Sequence, residues 1–315
     1  MDLGQAESIL AAARAGSLLE LRAAWLDAGD LHEDEAARRL AGAVAGAGVE
    51  QRPLRQSRLD LTAAWDGVLH VRVAALTRLN AIDPLEVFTL YHGQAVTAGQ
   101  VVGSVKVAPH VVTESAVTAA VRIAEEAGAL LEVRAYRALE VGAIAQEAIS
   151  GEALARFEAG ARFKIEALGS RLAGTVVVSD REPQAAERAS RAALTWAVRE
   201  RRLSVVLVGG VSAGDPLSPF YAALDSLGGR VLRRGVPAHP GSMIWLAELD
   251  GSRLLGLPQC MFTLATAADL VLPRLLTGEA LTAADLADLA HGGVLVKEMR
   301  FRFPAYAQGL EAPAG

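Results

Sequence analysis

The feature that most constrains this chain is the alternation in its second half. Short segments at 174–179, 203–208, 230–235 and 253–256, the first two nearly continuous apolar runs, read as strands, and helical patterns at 184–199, 219–227 and 262–271 fall between and after them. Strands that are apolar on both faces and separated by helices require a mostly parallel sheet covered on both sides. A three-layer α/β/α domain is therefore expected over residues 151–315, opening with a helix that carries Leu154, Phe157, Ala161, Ile165 and Leu168. In such sheets ligands sit beyond the carboxyl ends of the strands, which points to the loops after Val178, Val208, Val236 and Leu257.

The first half reads differently. Residues 1–55 carry apolar positions at helical spacing (Ile9, Leu10, Ala13; Leu18, Leu21, Trp25; Ala36, Leu40, Val44) and form a helical N-terminal segment, ending near Arg52-Pro53. Its acidic Glu33-Asp34-Glu35 argues against a DNA-binding unit. Residues 60–150 form a β-rich α+β module, with strands at 68–73, 87–90, 101–107, 130–133 and 139–145, a hairpin over 93–102 and a helix from Thr113 or Glu114 to Ala127.

Composition removes several classes. With 52% hydrophobic and 21% charged residues the chain is globular, and 31 basic against 36 acidic residues leave a formal charge of −5, with no general attraction for nucleic acid or anionic lipid. The apolar runs are far shorter than the ~20 residues a spanning helix needs. The lone Cys260 rules out an internal disulfide or a multi-cysteine metal site, and the acidic start Met1-Asp2 lacks a basic signal-peptide region, so a cytoplasmic location is expected.

Four loops could carry chemistry. Gly209-Gly210-Val211-Ser212-Ala213-Gly214-Asp215 follows a strand and precedes a helix opened by Ser218 and Pro219. Glycines there let an anion approach backbone N–H groups at a helix N-terminus, although two glycines also suit a plain strand-to-helix turn. Ser218 as N-cap leaves Asp215 free as a functional carboxylate. Arg233-Arg234-Gly235-Val236-Pro237-Ala238-His239-Pro240-Gly241-Ser242 offers a rigid loop with cationic and polar groups. His239 alone also reads as a surface histidine. Gly256-Leu257-Pro258-Gln259-Cys260 joins a strand to a helix, with Cys260 read as a small buried residue. Ser179-Asp180 ends the first strand of the domain.

In this order the loops resemble the molybdopterin-binding domain (MoaB/Mog type) of molybdopterin adenylyltransferases and molybdopterin molybdenumtransferases. The likeness covers about residues 170–277 and rests on Ser179-Asp180, the Gly209–Asp215 loop, Val236 to Gly241, Gly256-Leu257-Pro258 and the closing Leu272-Pro273. The sequence departs from the family at Leu217, where an Asp is usual, at Gln259-Cys260-Met261, where Gly-Asn-Pro is usual, and at His239, where a Lys is frequent.

The resemblance implies a molybdopterin- or molybdenum-cofactor-binding protein of cofactor biosynthesis, with the pterin held by Ser179, Gly209, Gly210, Ser212, Gly214, His239, Pro240, Gly241, Ser242, Gly256 and Pro258. For an enzyme it implies Mg²⁺-dependent transfer, with Asp215 and Asp180 as catalytic and metal-binding carboxylates. It also implies a homo-oligomer serving a molybdoenzyme, without nucleic-acid or membrane partners. Two alternatives stay open: a non-catalytic cofactor carrier or sensor, and a nucleotide-binding hydrolase-like protein built on the same domain.

Overall fold

The computed structural model describes residues 3–17, 26–55, 57–146, 151–257 and 265–309. Helix α1 (Leu3–Arg14) is largely exposed, with Leu10 at the surface. There follow β1 (Asp30–His32), α2 (Glu33–Val44), β2 (Val49–Gln51), β3 (Arg58–Ala63), β4 (Gly67–Val71), α3 (Val73–Asn80), β5 (Leu85–Thr89), β6 (Ala95–Val96), β7 (Val101–Val107), β8 (Val111–Thr113), α4 (Glu114–Glu126) and β9 (Leu131–Ala135). They form a four-stranded antiparallel sheet (β2-β3-β7-β5), a three-stranded one (β6-β4-β9) and the β1-β8 pair.

Helix α2 corrects the sequence reading, which set residues 1–55 apart as a helical segment. Its Ala36, Ala37, Leu40, Ala41 and Val44 enter the same core as Leu61, Leu69, Val105 and Val117 of the β-rich unit. Each fully buried leucine contributes about 1.5–3 kcal/mol, so α2 is integral to that core. The acidic Glu33, Asp34 and Glu35 lie in its first turn, where the helix dipole favours negative charge, and His32 accepts the N–H of Asp34 as the N-cap.

The second unit comprises β10 (Glu140–Gln146), α5 (Glu152–Glu166), β11 (Arg171–Val178), α6 (Pro183–Leu194) with a π-helical continuation over Thr195–Glu200, β12 (Val205–Gly209), α7 (Pro219–Ser226), β13 (Arg230–Arg234), β14 (Trp245–Leu249), β15 (Ser252–Leu257), α8 (Ala268–Leu276), α9 (Ala283–Ala287) and α10 (Ala305–Gln308). Its sheet has the order β11-β10-β12-β15-β14-β13. The first four strands run parallel and β14 runs against both neighbours. This is a mixed α/β sheet.

Two strands differ from expectation. β10, read as the end of the β-rich module, pairs in parallel with both β11 and β12 and so belongs to the six-stranded sheet. Its apolar run carries no mark of which sheet it joins. β14 has no counterpart among the strands expected from the sequence, yet it forms a hairpin with β15 through Asp250-Gly251, both with positive φ. An Asp-Gly pair is the signal for such a turn.

Alternate residues divide between two cores. Val141, Ala143, Ala145, Leu207 and Leu255 pack with Phe157, Ala161 and Ile165 of α5 and Val271 and Leu275 of α8. The intervening Ile144, Val206, Val208 and Leu254 pack with Ala193 and Leu194 of α6 and Phe220 and Leu224 of α7. The period of two places helices on opposite faces of one sheet. No helix among the described residues is long and apolar enough to cross a membrane.

Candidate functional site

One row of paired residues crosses the whole sheet: Val176, Ile144, Val208, Gly256, Trp245 and Arg234. The parallel strands β11, β10, β12, β15 and β13 therefore end along one edge. The loops that follow β11, β12 and β13 leave from that edge, as the order of the elements requires. Pro258 and Cys260 lie outside the described residues.

In the glycine loop, the glycines answer to the fold first. A Cβ on Gly209 would lie 2.4 Å from the Phe157 ring, and one on Gly210, at φ +86°, would lie 2.3 Å from the carbonyl oxygen of Gln146. Gly210 N–H donates to Leu257 O at 3.2 Å and Gly214 N–H to Ser212 Oγ at 3.1 Å, so these expected cradle amides are spent inside the protein. The N–H groups of Val211, Ser212 and Ala213 have no partner among the described residues.

Two aromatic side chains set the direction of those amides. Trp245 Nε1–H donates to Val211 O at 2.9 Å, and the Tyr221 hydroxyl donates to Ser212 O at 3.1 Å. Across a planar trans peptide the next N–H points opposite to the carbonyl. The amides of Ser212 and Ala213 are thereby turned away from the buried Trp245 and from Tyr221. Sequence reasoning missed both aromatics, because neither lies in the loop it positions. Gly256, expected as a ligand contact, is required by the same arrangement: a Cβ there would stand 1.8 Å from the Trp245 indole.

Asp215 is not free as expected. Its Oδ1 accepts the N–H of Leu217 at 3.0 Å, a turn typical of Asp in loops. Ser218 is the N-cap of α7 with Pro219 following it, but its side chain makes no capping bond. Asp180 and Ser179 are exposed beyond β11, and β10 separates that strand from β12, a gap of roughly 10 Å between strand axes. Among the described residues no group of three or more His, Cys, Asp or Glu could hold a metal ion. The adjoining N-terminus of α6 is capped by Glu182, whose carboxylate accepts Gln184 and Ala185 N–H; those bonds hold its pKa below the usual range.

The loop after β13 is tied at three points. Val236 N–H donates to Ser242 O at 2.9 Å, Ala267 N–H to Pro240 O at 2.9 Å, and His239 N–H to Gly293 O at 2.7 Å. The His239–Pro240 peptide is cis, and the His239 side chain is exposed. Met243 links this loop to the glycine loop, with its Cε 3.0 Å from where a Gly214 Cβ would stand. Arg233 Nε–H is used on Gly235 O. Arg234 instead stacks its guanidinium 3.9 Å over the Tyr221 ring, next to the glycine loop. Burial raises the Tyr221 hydroxyl to about 12, against the pull of Arg234, so it remains a donor to Ser212 O.

The start of α8 is fixed by a buried ion pair. Asp269 accepts from Lys164 at 2.8 Å, from the Tyr306 hydroxyl at 2.9 Å and from Thr266 N–H at 2.9 Å. This holds the point at which the chain leaves the strand edge for the helix.

No protein-family model matches the chain, and no curated protein sequence matches it. Among solved structures it is similar to the molybdopterin biosynthesis moea protein from Pyrococcus horikosii, over 79% of each chain, at 14% identity and a TM-score of 0.34. It is similar to the molybdopterin biosynthesis enzyme MoaB from Thermus thermophilus over 45% of this chain and 98% of that one, at 19% identity and a TM-score of 0.30. A NadC deletion mutant aligns over 61% of this chain and 78% of its own, at 12% identity and a TM-score of 0.18. At these scores the similarities assign neither fold nor family.

Proposed function

We propose that the chain binds a molybdopterin-type pterin at the carboxyl edge of the six-stranded sheet and acts in molybdenum cofactor biosynthesis. One observation carries the reading: three successive backbone N–H groups, Val211 to Ala213, without partners among the described residues and with the intervening carbonyls held by Trp245 and Tyr221. Consecutive amides of this kind bind phosphate oxygens. Ser212, whose Oγ accepts from Gly214 N–H, retains its own O–H to donate, and Arg234 supplies the positive charge. Gly241, Ser242 and His239 stand on the opposite loop. The resemblance of the loop order to molybdopterin-binding domains names the pterin and the α/β/α domain type.

Between an enzyme and a carrier, Asp215 favours the carrier. Its Oδ1 is engaged by Leu217 N–H, Leu217 stands where the family has a second Asp, and Asp180 lies beyond an intervening strand. The described residues do not fit a Mg²⁺ site, so no step is assigned to the ion. The protein in this reading holds the cofactor and passes it to a molybdoenzyme.

The test is a titration with molybdopterin and adenylylated molybdopterin, with and without Mg²⁺. Gly210 is unsuitable as the variant, since a side chain there meets backbone. Ala213→Glu places a carboxylate over the free amides, and Arg234→Gln removes the charge. Each is expected to weaken binding at least roughly tenfold with melting behaviour retained. Unchanged affinity in both variants would overturn the site, and Mg²⁺-dependent product formation would overturn the carrier reading.

A further inference from the structure

A cleft of about 420 Å³ lies far from the glycine loop in sequence and is built by both units of the chain. Its apolar wall comes from Leu76 and Leu90 of the β-rich unit and Leu289 of the second, and Tyr91, His92 and Arg302 also line it. Arg302 is only 5% exposed. Its guanidinium lies 4.6 Å over the Tyr91 ring and one Nη–H bonds to Gly292 O. Its partners among the described residues are that carbonyl and that ring, with no carboxylate among them. A buried guanidinium stays charged, and buried charges are ordinarily paired, because desolvating one alone is costly. Here no carboxylate among the described residues forms an ion pair with the guanidinium where a cavity opens, the exposed Asp288 on the same cleft included.

His92 adds a neutral donor. Its Nδ1 accepts the N–H of Val71 at 3.1 Å, so in the neutral ring the proton sits on Nε2. Burial lowers its pKa, which keeps the ring in that neutral form. Arg274 also lines the cleft, but its charge is taken by Glu279, which leaves the Arg302 guanidinium and the His92 N–H for the two oxygens of a single carboxylate. The exposed Asp288 on the same cleft disfavours a doubly charged phosphate.

We propose that this cleft between the two units is a binding site for a small organic carboxylate with an apolar body, paired to the Arg302 guanidinium and the His92 Nε2–H. Gly292 belongs to the site: at φ +78° it leaves room for Arg302, where a Cβ would stand 2.7 Å from Nη1.

The experiment is a titration of the full chain with benzoate, benzyl alcohol and phenyl phosphate, followed by calorimetry and by melting temperature. Benzoate at about 10 mM is expected to raise the melting temperature by a few degrees, with benzyl alcohol inert and phenyl phosphate weaker. Arg302→Met is expected to bind benzoate at least roughly tenfold more weakly. Without ligand it should melt no lower than the parent, since an unpaired buried charge has been replaced by an apolar chain of similar length. His92→Asn keeps an acceptor for Val71 N–H and should lose affinity severalfold. Leu90→Trp fills the apolar end, leaves the guanidinium alone and should abolish the response. No benzoate response in the parent, an equal response to benzyl alcohol, tighter phenyl phosphate, or binding that survives Leu90→Trp would each overturn the assignment. Because none of these residues touches the glycine loop, failure here leaves the pterin reading standing, and the converse holds.

Discussion

The strand edge and the junction between the two units handle polar groups in opposite ways. At the edge, backbone groups face outward: among the described residues amides 211–213 are left open, while aromatic side chains hold the intervening carbonyls. At the junction, side chains meet side chains in a largely buried network beside the cleft. Arg274, 2% exposed, makes a two-point ion pair with Glu279 at 2.6 and 2.9 Å. His70 lies 3.7 Å from the same carboxylate and edge-on to His92. Replacing a side chain around a backbone cradle strands no buried charge. A buried ionic network does not tolerate loss of one member, and this difference orders the expected effects.

The largest belongs to Glu279→Ala. It strands the Arg274 guanidinium in the junction with only the marginal Asp285, 3.8 Å away. Removing one partner of a buried pair costs about 3–5 kcal/mol. Urea unfolding should show a loss of that size, whereas Arg274→Met with Glu279→Gln should recover most of it. A loss below about 1 kcal/mol in the single variant would mean that water from the cleft screens the pair.

Acid should act on the same region next. Burial pulls the His70 imidazole from 6.5 to about 4, outweighing the opposing attraction of Glu279. In the unfolded chain the ring takes up a proton below about 6.5, while the native ring stays neutral until about 4. The unfolded state thus binds more protons in that window, and stability falls as pH drops through it. For one such group the loss is about 2–3 kcal/mol over the full window, and His92, shifted in the same direction by burial, adds to it. His70→Gln should flatten the decline between pH 6.5 and 4 measured by urea unfolding. An unchanged slope would remove His70 as its source.

Gly256→Ala carries the comparison back to the edge. The added methyl would stand 1.8 Å from the Trp245 indole, so ring or strand must shift, at about 1–3 kcal/mol. The shift also moves the donor that holds Val211 O. The variant should lose pterin binding together with stability, and the Trp245 indole N–H resonance should move. Full affinity with a moved indole would show that Trp245 does not set the amides.

The two regions also differ in how far they can be read from sequence. The edge is written locally: apolar runs ending in Gly209-Gly210, in Arg234-Gly235 and in Gly256-Leu257 mark strand ends, and a parallel sheet brings them together. Trp245 and Tyr221 stayed hidden because their part is played across strands, through hydrogen bonds to carbonyls that any residue could carry. The junction is assembled from positions 70, 92, 274, 279 and 302, and no spacing links them. A buried arginine such as Arg274 looks, in sequence, like any helix-surface arginine. Misplacing β10 and α2 has a related cause: an apolar run or stripe states that an element is buried, not which core buries it.

The smallest effect discriminates most sharply at the edge. In Asp215→Asn the amide oxygen still accepts Leu217 N–H, so the turn survives and stability should stay within about 0.5 kcal/mol of the parent. Asp215→Ala leaves that N–H without its partner and should cost about 1 kcal/mol, or less where water replaces the oxygen at this exposed position. If Asp215 serves the turn alone, pterin affinity follows the same order, with Asn equal to the parent and Ala slightly weaker, regardless of added Mg²⁺. If the carboxylate instead holds a cation beside the phosphate, Asn fails as badly as Ala, and only when Mg²⁺ is present, because an amide oxygen supplies a dipole where the ion needs charge. The Asn variant therefore separates a turn-forming oxygen from a metal-binding one, which the alanine variant alone cannot do.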